Sequence, residues 1–382
     1  MGATPTVSIA GTPPGTAPSG AMPTSSSTGA PPQPGNQRGP TPATPPPPGA
    51  SAQHGNGAAG DDSGKSIHHE GRKKLPWGPE VWERIDKAVE MEMKRTRIGT
   101  RFLPVRRVTP KTLTVPTDAY TSPGGVFQVD EGAATRVITL ASSFQMTAQQ
   151  IAQEAANIKE LGHSTAVTLA TRAANVLAQG EDTVIFQGAN ALGTPLFAVP
   201  GGLITMQGTP SDTGLLNLPV GAAAAGPLAP PVVVLPVPRA AGPAPIYGSN
   251  TFQVVSQAYA QLQALGHYGP YALVLQTIPY ADTYVPIADL AVTADVIKPL
   301  MTAGFFGTGT LPPNPVVPPA VPAPPYYGVL VSLGGNTVDL VVGLEATTAI
   351  LQENANGFQL QVIERIALRF KDTTGVIGLV FN

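Results

Sequence analysis

The sequence predicts an α+β fold preceded by a disordered N-terminal extension, and three observations predict it. Residues 328–382 hold two strand-like runs flanking Gly334-Gly335-Asn336, an alternating segment from Phe358 to Phe370, and an apolar run ending at Phe381. Several upstream segments carry apolar residues at helical spacing instead. Residues 1–75 belong to neither pattern: they are rich in Pro, Gly, Ser, Thr and Ala, and Arg38 is their only charge before Asp61.

The extension comes first. A segment without apolar periodicity buries too little surface to offset its chain entropy, so residues 1–75 are expected to be disordered. As a coil they would span roughly 50 Å. The folded part should start at Leu75-Pro76-Trp77-Gly78-Pro79, with Pro79 in a helical first turn. Trp82, Ile85, Val89 and Met93 follow on one helical stripe, opposite Glu83, Arg84, Asp86 and Lys87, and Gly99 is the expected stop. Residues 102–120 read as extended, punctuated by Pro104, Pro110 and Pro116, and Ser122-Pro123-Gly124-Gly125 reads as a turn. Strand-like stretches fill 126–144, most clearly Arg136-Val137-Ile138-Thr139-Leu140.

Residues 147–160 should be helical. Thr165 is the expected cap of a long helix towards Gly180, with Val167, Ala170, Ala174 and Leu177 on one face. Residues 251–265 place Phe252, Val255, Tyr259 and Leu262 on one stripe, and Tyr271–Leu275 reads as a short buried strand. Two long Pro-rich loops, 200–248 and 308–325, are expected as surface elaborations.

Composition narrows the function. The 382 residues include 42 Gly and 43 Pro, and only 12% are charged, about half the usual share. Such a surface suits a subunit that buries itself against copies of itself. A net charge of −2 offers no bulk field for nucleic acid. The absence of Cys excludes disulfides, thiolate metal sites and Cys nucleophiles. There is no basic region followed by an apolar one at the N-terminus, and the longest apolar stretch, 219–238, is broken by six prolines. The expectation is a soluble, cytoplasmic protein without a membrane span.

No residue set converges on chemistry. His68-His69-Glu70 lies in the extension and reads as solvated linker, not a metal site. His267 reads as a turn residue bonded to backbone and His163 as a loop residue. Glu181 and Asp182 are adjacent, so their side chains diverge, and paired acid–base catalysis needs two carboxylates facing one point. They read as a helix-end pair in polar contacts. The Gly304–Gly309 run lacks the residues of a phosphate loop. Arg72-Lys73-Lys74 and Arg106-Arg107 read as solvated clusters or intersubunit contacts. No catalytic residue, metal or cofactor is expected.

Four features occur in order: the amphipathic helix ending near Gly99-Thr100-Arg101-Phe102; Glu181-Asp182 followed by Ile185-Phe186 and Gly188; Gly269-Pro270-Tyr271 entering a buried strand; and the terminal strand set. Between Trp77 and Asn382 the chain thereby resembles the encapsulins, shell proteins with the fold of tailed-phage major capsid proteins. The resemblance implies an N-terminal lumenal helix (76–105), an extended β-arm (106–140), a peripheral domain with a spine helix (141–187 and 328–382) and an apical domain holding both Pro-rich loops (188–327), together a shell domain of 76–382. It implies self-assembly of sixty copies or a multiple into a closed icosahedral compartment. The partners would be copies of the chain and a cargo enzyme carrying a targeting peptide, with no nucleic acid and no membrane. A phage or prophage major capsid protein that packages DNA is the alternative. The family docks cargo between the first helix and the segment that here reads 343–348. Most of the stripe reads as packing of the helix onto its own subunit; the resemblance has Trp82, Ile85 and Val89 supply an apolar strip for cargo there, and Thr100, Glu345, Ala346 and Thr348 its remainder. Because Thr100 and Pro104 stand where the family often has charged residues, a comparatively apolar peptide is expected.

Overall fold

The computed structural model describes residues 71–121, 126, 128–130, 132–197, 202–210, 214–216, 234–240, 246–286, 292–311 and 326–382. The expected disorder of residues 1–70, the His54, His68 and His69 readings, the 122–125 turn and most of both Pro-rich loops lie outside the described residues.

The fold is built on strands of opposite patterning. One sheet runs β1 (Val105–Arg107), β12 (Val338–Asn354), β13 (Gly357–Phe370), β6 (Ile138–Met146) and β7 (Thr205–Gln207). Only β1 runs parallel to its neighbour, along β12. The other runs β10 (Gly304–Thr308), β9 (Tyr271–Gln276), β11 (Tyr326–Ser332), β14 (Val376–Phe381) and β8 (Val234–Val237). Between β1 and β6 lie two short ribbons, β2 (Thr114–Pro116) with β5 (Ala134–Arg136), and β3 (Ala119–Thr121) with β4 (Gln128–Asp130).

The second sheet is buried on both faces, which explains why its strands read as continuous apolar runs. In β9, Ala272 and Val274 join the larger core, whereas Tyr271, Leu273 and Leu275 join a smaller one under helix α5 (Ser249–Ala264). Strands β11 and β14 divide the same way: Val329, Val331 and Val376 face the first core, and Leu330, Ile377, Leu379 and Phe381 the second. This alters the expected division of the chain. Residues 326–332 and 376–381 lie in the same sheet as β9, so the segment after 328 is shared between both sheets. An apolar strand with two dry faces requires cover on each, and the two cores supply it for β14: Val376 packs in the larger, and Ile377, Leu379 and Phe381 in the smaller.

Helix α1 spans Pro79–Thr96, with Pro79 in its first turn, Glu80 at the positive end of its dipole and Lys94 and Arg95 at the negative end. It buries Val81, Trp82, Ile85, Val89 and Met93. The helix stops before Gly99. Gly99 instead opens a further turn, α2 (Gly99–Phe102), and a Cβ there would lie 2.5 Å from Ile185 Cδ1. The glycine therefore permits close approach of two helices. Helix α3 (Ala148–Leu161) begins with a reciprocal capping box of Thr147 and Gln150. The long helix α4 spans Thr165–Gln187; its cap is Ser164, whose hydroxyl accepts from the Val167 amide, and it continues past Gly180. Ala170, Ala174 and Leu177 are fully buried.

Packing begins before the expected boundary. Arg72 and Leu75 are 7% and 4% exposed, and the Trp77 indole donates to the Ile151 carbonyl at 3.0 Å. Residues 71–75 thus belong to the folded unit, because Arg72 finds buried partners that local composition does not reveal.

Candidate docking site

The strip singled out by sequence lies between α1 and the middle of β12. Its β12 side is irregular: the pairing with β13 shifts register between Val342 and Leu344, between Leu344 and Thr347, and between Ile350 and Gln352. Such bulges re-aim side chains, and here they put Glu345 out in solvent, half exposed, while Ala346 is half-buried and Thr348 fully buried.

The expected apolar part faces the wrong way for a ligand. Trp82, Ile85 and Val89 are 6%, 0% and 0% exposed, all within the chain's own core. A helix laid on a sheet buries its apolar stripe there, so the opposite stripe is what remains accessible. Thr100 is half-buried in α2, and the Pro104 carbonyl accepts from the Leu340 amide at 2.9 Å.

Arg72 fills the strip. Its guanidinium donates to both Asp86 carboxylate oxygens, at 2.7 and 2.6 Å, and to the Thr348 carbonyl at 2.9 and 3.3 Å. It also reaches the Thr347 hydroxyl at 3.4 Å and lies 4.6 Å from the Trp82 ring centre. This is the planar fork of Arg used in full, with two N–H groups on a carboxylate and the flat face on an indole. Lys73 and Lys74 stay exposed, so the basic triplet divides into one buried anchor and two solvated charges.

Beyond the end of α1 sits a buried charge cluster. Arg97 has its Nε 2.8 Å from Glu181, one Nη 3.1 Å from Glu364 and the other 3.7 Å from Glu345, which also pairs with Arg107 at 3.0 Å. Asp182 accepts from the backbone amides of Ile98 and Gly99 at 2.8–3.0 Å, capping α2. Glu181 and Asp182 therefore lie inside a helix and not at its end. Burial, against the pull of Arg97, pushes Glu181 up to about 7. Burial and the neighbouring Glu181 push Asp182 up to about 8, and the same two causes raise Glu364 well above the carboxylate range. No N–H or hydroxyl among the described residues reaches either Glu181 oxygen in hydrogen-bonding geometry, including Arg97 Nε despite its closeness. The cluster ties the end of α1, α4 and β13 together.

Other expected sites are structural. The His267 ring bonds Thr374 Oγ1 at 2.6 Å and lies 3.7 Å from Asp372, so it joins a turn to side chains and not to backbone. Gly304 and Gly307 lie in β10, and Gly309 follows it. Among the described residues no group of three or more His, Asp or Glu is placed to hold a metal, and no helix is long and apolar enough to cross a membrane. Sequence reasoning missed Arg72, Asp86, Arg97 and Glu364. Only Arg97, next to the expected helix end and before a glycine, carried a local signal.

The ribbon-bearing, two-sheet fold is that of capsid-type shell subunits. It is similar to the virus-like particle from Pyrococcus furiosus, with a TM-score of 0.53 at 16% identity over 78% of this chain and 99% of that one. Residues 68–214 match the Linocin_M18 family model, described as an encapsulating protein for peroxidase. The type 1 encapsulin shell protein EncA of Myxococcus xanthus is 25% identical over 322 residues, which are 81% of this chain and 95% of that protein. Over most of its length the chain is thus similar to an encapsulin shell protein.

Proposed function

We propose that this chain is the shell subunit of an encapsulin nanocompartment. Sixty copies or a multiple close an icosahedral particle around a cargo enzyme that carries a targeting peptide; the particle lies in the cytoplasm, and the subunit itself is not catalytic. The observation that carries this reading is kinship along almost the whole of a shell protein, at 95% of its length. The ribbons of 114–136 support it physically. Two-stranded ribbons are marginal alone, and these expose Leu113, Tyr120, Val126 and Val129, apolar surface that a neighbouring copy would cover. Their base is held by β13, whose Arg365 donates to the Pro110 and Thr112 carbonyls and whose Arg369 donates to the Pro116 carbonyl and Asp118. The division into lumenal helix, arm, peripheral and apical parts is part of this proposal, with β11 and β14 counted in the second layer.

Light scattering after size exclusion, with negative-stain imaging, tests the reading. The expected product is a megadalton-scale hollow particle. A monodisperse species of fewer than about ten subunits would end it. Nuclease-protected nucleic acid inside purified particles would favour the DNA-packaging capsid instead.

A further inference from the structure

The contacts around Arg72 form a receptor for one chemical group. A carboxylate takes the fork end-on, a backbone carbonyl and a hydroxyl accept from the Nε and Nη2 side, and an indole face covers the plane. Lys cannot satisfy this set, because an ammonium has neither the fork nor the flat face. The receptor also holds a polar group that Arg72 leaves unused: the Thr348 hydroxyl is fully buried and has no hydrogen-bond partner. The occupant comes from the chain itself, immediately after residues 1–70.

We propose that the strip between α1 and residues 343–348 is an arginine-recognition site held closed by the chain's own Arg72. A peptide entering it must bring a guanidinium and displace Arg72. This replaces the expectation of an apolar peptide, because Trp82, Ile85 and Val89 face inward and the groups that Arg72 occupies are Asp86, Thr347 and the buried Thr348 carbonyl. Removing Arg72 leaves the receptor intact: Asp86, with a side chain 39% exposed, can be solvated while it waits. The link to cargo rests on the shell reading above; the recognition site itself does not.

The test uses the full chain and a fluorescein-labelled hexapeptide with the sequence of residues 71–76, followed by fluorescence polarisation. Arg72→Ala should bind the peptide at least tenfold more tightly than wild type. Replacing the peptide's own arginine by lysine should weaken binding to the variant at least fivefold. Equal affinity for wild type and Arg72→Ala, or indifference to the lysine replacement, would overturn the proposal, as would no binding to a folded Arg72→Ala. Folding is checked by circular dichroism. If Arg72→Ala does not fold, Arg72→Lys keeps the charge and the stem and should still bind the peptide more tightly than wild type; no gain there also overturns the proposal. Light scattering on the same samples separates the two readings. Particles without peptide discrimination sink this inference alone, and discrimination without particles sinks the shell reading alone.

Discussion

Single side chains in this protein are governed by what buries them. Ile85 is fully enclosed, so Ile85→Ala should cost about 2–5 kcal/mol, read as a lower urea midpoint. Ile85→Asp should abolish soluble folded protein, because an unpaired charge would enter the core. The Arg97 cluster is sensitive to pH. Glu181 and Glu364 have folded-state pKa values above their unfolded ones, so the native state holds more protons between those values. Stability conferred by the protonated cluster is present at acid pH and falls as pH rises through about 7 for Glu181. A shift from 4.5 to about 7 corresponds to about 3 kcal/mol at most. Wild type should therefore lose stability from pH 5.5 to 8.5 by urea unfolding, and Glu364→Gln should flatten that loss. An unchanged slope in the variant would remove Glu364 from the account.

At the scale of elements, the fold depends on a few points where chain segments approach closely. The β12–β13 hairpin ends at Gly357, whose φ is +131° and whose Cβ would lie 2.1 Å from the Met146 carbonyl oxygen. Both the backbone angle and the space exclude a side chain, so Gly357→Ala should cost about 2 kcal/mol or more. Thr147→Ala, one residue beyond that contact, removes only a helix cap and should cost about 1 kcal/mol. Thermal or urea denaturation of the two variants distinguishes them: a larger loss from Thr147→Ala would mean that the hairpin end relaxes freely. Helix periods and the alternating run of β13 were legible in sequence because each depends on neighbours within a few residues. The stop of α1 was not. Gly99 signals a helix end equally well when it serves close packing, and only the approach of Ile185 separates the two.

At the scale of the whole molecule, the described residues leave Leu113, Tyr120, Val126 and Val129 exposed at and beside the ribbons. The shell domain from Gly71 onward contains both sheets and the exposed ribbons, so deletion of residues 1–70 should leave particle formation intact, as seen by negative-stain imaging. Deletion of residues 1–72 should differ, because it also removes the guanidinium from Asp86 and Thr348. Particles of the shorter deletion but open, peptide-binding particles of the longer one would set the functional boundary at Arg72. Loss of particles on deleting 1–70 would make the extension an assembly element.

The amino-acid sequence by itself determined the elements and the class of fold: helical and strand periods are properties of neighbouring residues, and the ordered features from Trp77 to Asn382 carried the family resemblance. It also determined the low charge and the absence of thiol chemistry. The tertiary structure alone decided which partner each buried charge meets. Arg72 binds Thr348 across 276 positions and Arg97 binds Glu364 across 267. It likewise decided that β14 lies inside the second sheet, between β11 and β8. Side-chain polarity is local, but the solvent and counter-charge that set its meaning arrive from distant parts of the chain.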